Sequence, residues 1–497
     1  MTARVAFLVV MAAVATRVVT HTPGNTSSPA LTSTQSSPGE HPHLHLTTAE
    51  LIAARGYPAE AHHVVTSDGY ILEIHRIPHG RRGPRARHTH PHNRDDGVSS
   101  VESVAGNRNI IAPGVSTYSN ERSSSDNSNE SSSSSDNSNE SRGSDNSNES
   151  SSRDNSNESS SSHNSSKNSS GQRKAVFVLH GFLSSSADFV MNDPDQALGF
   201  LLADAGFDVW LGNTRGNFYG RRHTNLTTKQ PEFWDFSWNE LSRYDVPAML
   251  SYVRKTSRVD QVSYIGHSMG TSLFFAMMDY HPHINTWVRA MAALAPAAYV
   301  HHKYTMAGVL APFFEGAEKE LRKHGIMEIF RLTTESSKKV SDMCGPKSIT
   351  SFLCVLMYFI SGGPNSNYLD KEYLPVIFAH TPAGSGLKVF THLRQLHASR
   401  KFQAYDHGEA KNLVKYGRAS PPQFSLAAVR VPVGLFWSEN DWIVDPRDVR
   451  QTASELPWVA LDHQIKLRDF NHVDFLWAEN ANYYVYDPTI RFLDSFL

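Results

Sequence analysis

The feature that most constrains this chain is a short pattern, Gly266-x-Ser268-x-Gly270, that follows directly on a β-rich apolar run. Residues 271–278 come next, contain neither Gly nor Pro, and predict a buried helix. A serine between two glycines at a strand-to-helix turn is typical of a nucleophile elbow, where larger flanking side chains would collide. A plain Gly-rich turn is the alternative, so the interpretation depends on what the rest of the chain supplies.

Strand-like apolar runs alternate with helical patterns over much of the chain. This alternation predicts an α/β fold with a mostly parallel central sheet and helices on both faces. Residues 300–430 break the rhythm and are expected to form an inserted cap over the carboxyl edge of the sheet. The helical patterns include residues 194–205 and 242–254, and the strand-like runs are residues 175–179, 207–211, 261–265, 290–294, 433–437 and 464–467.

A serine nucleophile needs a base and a carboxylate that orients the base. On a sheet of this kind they follow Ser268 in the order acid, then histidine. Asp441 and His472 each lie just past a strand-like run, where the sites of open α/β sheets form. Asp445 precedes a proline and is expected to shape a turn or cap a helix instead. His463 is expected to precede its strand and face away from the site.

An oxyanion site needs two backbone N–H donors. The residue after the nucleophile supplies one of them, which assigns Met269. The turn after an early strand supplies the other, which assigns Phe182 in the sequence Leu179-His-Gly-Phe182. His180-Gly181 also suits a plain turn.

Composition excludes one class of partner. The chain has 497 residues, 39% of them apolar, and can bury one large core or two moderate ones. Its 47 basic and 49 acidic residues balance, so no basic field for nucleic acid is expected. Two histidine clusters have Pro- and Arg-rich surroundings, which favour solvated segments over a metal site. These clusters are His41, His43, His45 and His88, His90, His92.

The N-terminus predicts a signal peptide. Residues 5–15 are apolar and follow Arg4, a stretch too short to span a bilayer. We place cleavage near Thr20, although Arg17 interrupts the pattern, and no other apolar run approaches the length of a membrane span. The mature chain is therefore expected to be secreted or delivered to the lumen of an endomembrane compartment.

Residues 123–171 consist almost entirely of Ser, Asn, Asp, Glu and Gly, and predict disorder. In a secreted protein N-x-S/T sequons are candidate glycosylation sites, although such a composition also generates sequons by chance. The candidates are Asn25, Asn129, Asn139, Asn148, Asn157, Asn164, Asn168 and Asn225.

Two features of residues 300–430 bear on the cap. Cys344 and Cys354 are the only cysteines; in an oxidising compartment they are expected to pair, worth about 2 to 3 kcal/mol, with two free buried thiols as the alternative. The apolar stretches at residues 306–314 and 352–360 suit an acyl pocket or a lipid surface, and ordinary core packing explains them nearly as well.

Taken in order, the motifs of this chain resemble those of the acid lipase family, the animal gastric and lysosomal lipases. The resemblance runs from about Leu51 to the C-terminus, outside the Ser/Asn tract. It rests on Gly56-Tyr-Pro58, Thr66-Ser-Asp-Gly-Tyr-Ile-Leu72, His75-Arg-Ile-Pro78, Leu179-His-Gly181, Asp208-Val-Trp-Leu-Gly-Asn-Thr-Arg-Gly216, Gly266-His-Ser-Met-Gly270, Leu294-Ala-Pro296, Phe402-Gln-Ala-Tyr-Asp406 and Asn471-His-Val-Asp-Phe475.

The resemblance implies an α/β-hydrolase fold and an ester hydrolase that needs neither metal nor organic cofactor. It implies Ser268 as nucleophile, Asp441 as acid and His472 as base, with Phe182 and Met269 as oxyanion donors. It also implies a cap disulfide between the two cysteines. The expected substrates are neutral lipids, triacylglycerol or cholesteryl ester, met at an oil-water or membrane interface. The alternatives are a carboxylesterase of short soluble esters, or a catalytically silent α/β-hydrolase used in adhesion or lipid carriage.

The chain departs from the family pattern at two places. Met269 stands where the family usually has Gln; a backbone donor tolerates this change. Roughly ninety residues separate the Arg-Ile-Pro segment from the first core strand, an insertion that costs little in closure entropy. The expected organisation is a signal peptide (1–20), a polar segment (21–46), an N-terminal lipase segment (47–80), a disordered insertion (81–173), the first part of the core (174–299), the cap (300–430) and the second part of the core (431–497).

Overall fold

The structure is a computed structural model that describes residues 42–83, 174–302, 318, 320–330, 333–345, 348–364 and 367–497. The predicted signal peptide, the Ser/Asn tract and all sequons except Asn225 lie outside these residues. So do His41 and the cluster at residues 88–92.

The described strands are β1 (Glu60–Val65), β2 (Tyr70–Ile77), β3 (Lys174–Leu179), β4 (Phe207–Gly212), β5 (Arg222–His223), β6 (Val262–His267), β7 (Val288–Leu294), β8 (Glu328–Ile329), β9 (Ser385–Gly386), β10 (Val433–Ser438) and β11 (Val459–Ile465). Nine of them form one sheet in the order β1-β2-β4-β3-β6-β7-β10-β11, with β5 beside β2. All pairs from β4 to β11 are parallel, whereas β1, β2 and β5 pair antiparallel. The predicted mostly parallel sheet is therefore confirmed.

The described α-helices are α1 (Thr48–Ala54), α2 (Leu198–Asp204), α3 (Trp238–Glu240), α4 (Val246–Ser257), α5 (Met269–Tyr280), α6 (Thr334–Cys344), α7 (Ser351–Gly362), α8 (Leu374–His380), α9 (Leu387–Ser399), α10 (Glu409–Tyr416), α11 (Pro446–Glu455), α12 (Asp474–Trp477) and α13 (Asp487–Asp494). None of the helices in these ranges is long and apolar enough to cross a bilayer.

The central strands are apolar because both of their faces are covered. Every residue of β4, β6 and β10 is buried, as expected for parallel strands inside a layered fold. Helix α5 is apolar around most of its circumference and buries ten of its twelve residues. The chain therefore holds the strand and the helix on either side of Ser268 rigidly inside the core.

One predicted strand was misplaced. The run at residues 464–467 was expected to be the last strand, but β11 is Val459–Ile465, and the two overlap by only two positions. The cause is that β11 is the edge strand of the sheet: partly buried and exposed residues interleave along it, and the apolar run at residues 458–461 does not continue through residues 462–464, which are polar. His463 lies within β11, and its Nε2 donates to the Tyr484 carbonyl at 3.0 Å.

The two cysteines form a disulfide, as predicted. Cys344 ends α6 and Cys354 lies in the first turn of α7, with 5.6 Å between their Cα atoms. The bond ties together two helices that lie between β7 and β10 in the chain.

Candidate active site

The site is built at the carboxyl ends of parallel strands, which share one edge of the sheet. Ser268 follows β6, Asp441 follows β10 and His472 follows β11. The turn that contains Phe182 follows β3, which pairs directly with β6. The sheet topology therefore brings four segments together that are far apart in sequence.

Ser268 lies on a sharply strained turn. Its φ of 52° and ψ of −118° lie outside the regions that residues with a side chain favour. Both neighbouring glycines are required by space: a Cβ on Gly266 would lie 2.8 Å from the Gly270 carbonyl, and a Cβ on Gly270 would collide with the carbonyl oxygens of Leu179 and His180. The backbone between β6 and α5 is therefore a nucleophile elbow in its geometry.

Three predicted side chains form a continuous hydrogen-bonded chain. The Ser268 hydroxyl donates to His472 Nε2 at 2.9 Å, and His472 Nδ1 donates to Asp441 Oδ2 at 2.8 Å. All three residues are buried, with Asp441 only 1% exposed. The geometry suits proton transfer from serine to imidazole, because the carboxylate fixes which ring nitrogen has its lone pair toward the serine.

Two backbone amides hold the Asp441 carboxylate in place. Its other oxygen, Oδ1, accepts from the N–H groups of Ile443 and Val444, both at 2.8 Å. Asp445 does not contact His472 in this network but lies at the start of α11, where the sequence predicted a turn or a helix cap. Its Oδ1 accepts from the Arg447 amide and caps the N-terminus of α11.

A second network fixes the loop that contains His472. Asn471 Oδ1 accepts from the Val473 and Asp474 amides at 3.0 and 3.1 Å, and Asp474 Oδ2 accepts from the Asn471 amide at 2.7 Å. The buried Tyr358 of α7 donates to the other oxygen of Asp474. The sequence analysis missed this support; the only signal for it was Asn471 and Asp474 lying on either side of His472 within three residues.

The turn after β3 packs directly against the elbow. A Cβ on Gly181 would lie only 3.1 Å from Ser268 Cβ, so a larger residue there would press on the elbow. Among the described residues, no backbone carbonyl accepts from the Phe182 amide. Met269 is the first residue of α5, and the first amides of a helix have no partner within the helix. Within the described residues, neither the Phe182 amide nor the Met269 amide therefore donates to a backbone carbonyl.

His180 stabilises this turn through both ring nitrogens. Its Nδ1 donates to the Gly181 carbonyl at 2.7 Å, and its Nε2 accepts from the Thr214 amide at 3.2 Å and from Asn217 Nδ2 at 3.3 Å. Burial lowers the pKa of His180 to about 4. The ring is therefore neutral near pH 7, in the one tautomer that satisfies these partners.

His267 is a further buried histidine beside His472, and the sequence analysis did not assign it a role. Its Nε2 donates to the His472 carbonyl at 3.1 Å, and the two rings lie 4.9 Å apart. Burial, followed by the charge of the neighbouring His472, lowers the pKa of His267 well below its usual value. The neutral form of His267 is therefore favoured, and its ring is hydrogen-bonded to the backbone carbonyl of His472.

Other sequence candidates lie away from this site. Asn225 is exposed, as a glycosylation acceptor must be. His43 and His45 are described, and neither belongs to a group of three metal-ligating side chains in the described part of the chain.

The sequence of this chain is similar to those of known lipases. One family model, described as a partial alpha/beta-hydrolase lipase region, matches residues 48–97, and another, described as the alpha/beta hydrolase fold, matches residues 174–321. Lipase 3 of Drosophila melanogaster is 32% identical over 448 residues, which cover 90% of this chain and 92% of that protein. Lipase lipl-5 of Caenorhabditis elegans is 31% identical over 464 residues, with 91% and 94% covered. Gastric triacylglycerol lipase of Bos taurus is 29% identical over 461 residues, with 91% and 92% covered.

The fold and these relatives define the class first: the chain is a carboxylic ester hydrolase of the lipase type with an α/β-hydrolase fold. Within that class it belongs to the acid lipase family, which includes the gastric lipases. Both the predicted fold and the predicted family are confirmed.

Proposed function

We propose that this enzyme hydrolyses the ester bonds of neutral lipids, with triacylglycerol as its principal substrate, through an acyl-enzyme formed on Ser268. One observation carries the proposal: the hydrogen-bonded chain from Ser268 through His472 to Asp441, with contacts of 2.9 and 2.8 Å, at a strained elbow. The triacylglycerol lipases among its relatives support the substrate class.

The reaction would proceed in two halves. Ser268 Oγ attacks the ester carbonyl carbon while His472 Nε2 takes the hydroxyl proton, and His472 then gives this proton to the departing alcohol oxygen. Water enters, His472 takes one of its protons, and the hydroxide attacks the acyl carbon. The fatty acid leaves as the proton returns to Ser268. Asp441 stays ionised throughout and stabilises the imidazolium that forms twice in each turnover.

The amides of Phe182 and Met269 would stabilise the oxyanion in both halves. Both flank Ser268, and neither depends on its own side chain for the hydrogen bond. An apolar residue at each position is therefore compatible with catalysis. Donors of this kind are worth about 10² to 10³ in kcat each.

Lipid rather than soluble substrate is supported by the surface around α7. Ile349 just before α7 and Phe352 and Leu356 one turn apart on it are exposed apolar side chains, and Phe352 is 63% exposed. The C-terminal end of this helix contacts the catalytic loops: the Gly362 carbonyl accepts from the Trp442 and His472 amides at 3.1 and 3.2 Å. We assign these three residues as the patch that contacts the lipid surface, within a cap formed by residues 300–430.

The remaining parts of the proposal concern processing and location. The disulfide between Cys344 and Cys354 supports passage through an oxidising compartment. Together with the apolar N-terminal segment at residues 5–15, it supports entry into the secretory pathway, with secretion or lysosomal delivery as the destination. The exposed position of Asn225 supports it as a glycosylation acceptor.

A fluorophosphonate probe tests the assignment of the nucleophile. It should label the wild-type protein and leave Ser268→Ala unlabelled, and the variant should lose ester hydrolysis. Labelling or hydrolysis that persists in a folded Ser268→Ala protein would reject Ser268 as nucleophile.

Comparing an emulsified triacylglycerol with a dissolved short-chain ester tests the substrate class. We expect the rate on the emulsion to rise steeply once the ester forms a separate phase, and Phe352→Ser to lower that rate several-fold while the rate on the dissolved ester stays constant. Val65→Ser, which changes an exposed apolar residue on β1, is the matched control. Higher activity on dissolved esters in every form would instead favour a carboxylesterase of short esters.

A further inference from the structure

A cluster of three side chains with metal-ligating atoms lies outside the proposed triad. His301 and His302 are in the segment after β7, and Asp448 is in the first turn of α11. Each residue offers one ligand atom, and these atoms lie within 4.8 Å of one another. Asp448 Oδ1 lies 2.6 Å from His302 Nδ1 and 3.3 Å from His301 Nδ1.

Asp448 is rigidly placed for this role. Its side chain is fully buried, and its second oxygen, Oδ2, accepts from the backbone amides of His301 and His302 at 3.1 and 3.2 Å. Oδ1 remains directed at the two imidazole rings. The carboxylate thus organises the backbone of the histidine pair with one oxygen and faces both rings with the other.

His301 has an unmet hydrogen-bonding requirement. Its side chain is only 9% exposed, and its Nδ1 has no hydrogen-bond partner although it lies near the carboxylate. A buried polar nitrogen without a partner is costly. Protonating both rings would not remove the cost, because their centroids are only 4.0 Å apart and two imidazolium ions would repel each other.

We propose that His301, His302 and Asp448 bind a divalent transition-metal ion, with zinc as the preferred ion. Two imidazoles and one carboxylate are a common ligand set for Zn²⁺. Ligand atoms arranged tetrahedrally around zinc at about 2.0 to 2.1 Å lie about 3.3 Å from one another. The 3.3 Å distance from His301 Nδ1 to Asp448 Oδ1 already matches this value. The partly exposed His302 ring would have to move outward, from 2.6 Å to about 3.3 Å from the same oxygen. Water would complete the coordination.

The ion would act as a structural clamp. None of its proposed ligands is Ser268, His472 or Asp441, so the ion would take no part in the ester hydrolysis. It would join the segment after β7 to the first turn of α11, and Asp448 follows Asp441 by only seven positions in the chain. Holding α11 in place would therefore also restrict the loop that contains Asp441.

Zinc titration of the full-length protein, stripped of metal with EDTA and then dialysed, tests the proposal. Because the chain has 26 histidines, the comparison with variants decides the result. We expect one tight site in the wild-type protein and in His63→Ala, which removes a half-exposed histidine on β1. The double variant His301→Ala/His302→Ala should lose this site or bind at least about tenfold more weakly. Equal stoichiometry and affinity in all three proteins would refute the proposal.

Two further measurements keep the test independent of folding defects and of the proposed catalysis. The double variant must unfold in EDTA with a cooperative transition like that of the wild type, and zinc should raise Tm in the wild type but not in the double variant. X-ray data collected on zinc-soaked wild-type crystals at the zinc absorption edge should show an anomalous peak between the three side chains. A peak only at other positions, or none, would overturn the proposal whether or not Ser268 is the nucleophile.

Discussion

Replacing Asp441 by asparagine tests the proposed orientation of the triad with almost no change in shape. Asp441 Oδ1 accepts two backbone N–H groups, from Ile443 and Val444, both at 2.8 Å. An asparagine must therefore keep its carbonyl oxygen toward those donors. Turning the amide around would set its NH₂ group against two buried N–H groups and leave them without an acceptor, at about 1 to 3 kcal/mol each.

The asparagine NH₂ group then faces His472 Nδ1, which must accept a hydrogen bond instead of donating one. The imidazole proton moves to Nε2, the atom 2.9 Å from Ser268 Oγ, and this nitrogen no longer has a lone pair to take the serine proton. The same replacement costs about 10⁴ in kcat in another Ser-His-Asp enzyme through the same change of tautomer. We expect a loss of about 10³ to 10⁴, which is about 4 to 5.5 kcal/mol of transition-state stabilisation.

The assay is kcat and KM on a dissolved short-chain ester, so that binding to a lipid surface does not enter. The matched control is Asp445→Asn. Asparagine caps a helix as well as aspartate does, and the contact of Asp445 with the largely exposed Arg447 is worth little, so kcat should stay within about twofold. A folded Asp441→Asn enzyme with more than about a tenth of wild-type kcat, or an equal loss in Asp445→Asn, would refute the reasoning.

Three further predictions follow from other parts of the structure. Met269→Gln should keep kcat within about threefold of wild type, because the proposed donor is the backbone amide; a loss of about 10² or more would show that the side chain matters. Replacing Cys344 and Cys354 together by serine should lower the free energy of unfolding by about 2 to 3 kcal/mol in urea titrations, and no change would mean that the bond does not restrict the unfolded chain. Burial raises the pKa of Asp188 to about 7 from 3.8, so the folded state favours the protonated acid: this contribution to stability is complete below about pH 4 and is lost as the pH rises toward 7. Asp188→Asn should therefore show a flatter dependence of Tm on pH between 4 and 7 than wild type, and an unchanged profile would count against the raised pKa.

The elbow could be predicted from sequence because its causes are local. Apolar residues before Ser268 form a buried strand, and the run after it forms a buried helix. The two glycines lack a Cβ that would collide with backbone a few residues away or at the end of the adjacent strand. The convergence of Asp441 and His472 on this edge could be predicted because parallel strands bring their carboxyl ends together. Their order, acid before histidine, came from the known arrangement of such residues on this kind of sheet.

The sequence was a poorer guide where a feature depends on its place in the sheet or on contact with a distant segment. At the edge position of β11 partly buried and exposed residues alternate, and residues 462–464 within the strand are polar, so the strand was predicted too late in the chain and His463 was placed outside it. The partnership of His301 and His302 with Asp448 joins residues about 146 positions apart, through a contact between a loop and a helix. No periodicity in either segment indicates the other, because a loop-to-helix contact depends on how both elements pack on the sheet.

The contact between the C-terminal end of α7 and the loop that contains His472 also joins distant segments, and no sequence pattern indicated it. Gly362 ends α7, and a Cβ there would lie 2.9 Å from Asn471 Oδ1, so only a glycine lets the helix end approach the loop that contains His472. At this distance its carbonyl accepts from the amides of both Trp442 and His472, next to the acid and at the base of the proposed triad. The helix that presents Phe352 to solvent and the loops that contain Asp441 and His472 are therefore joined by hydrogen bonds. Movement of α7 would act directly on the backbone that positions His472.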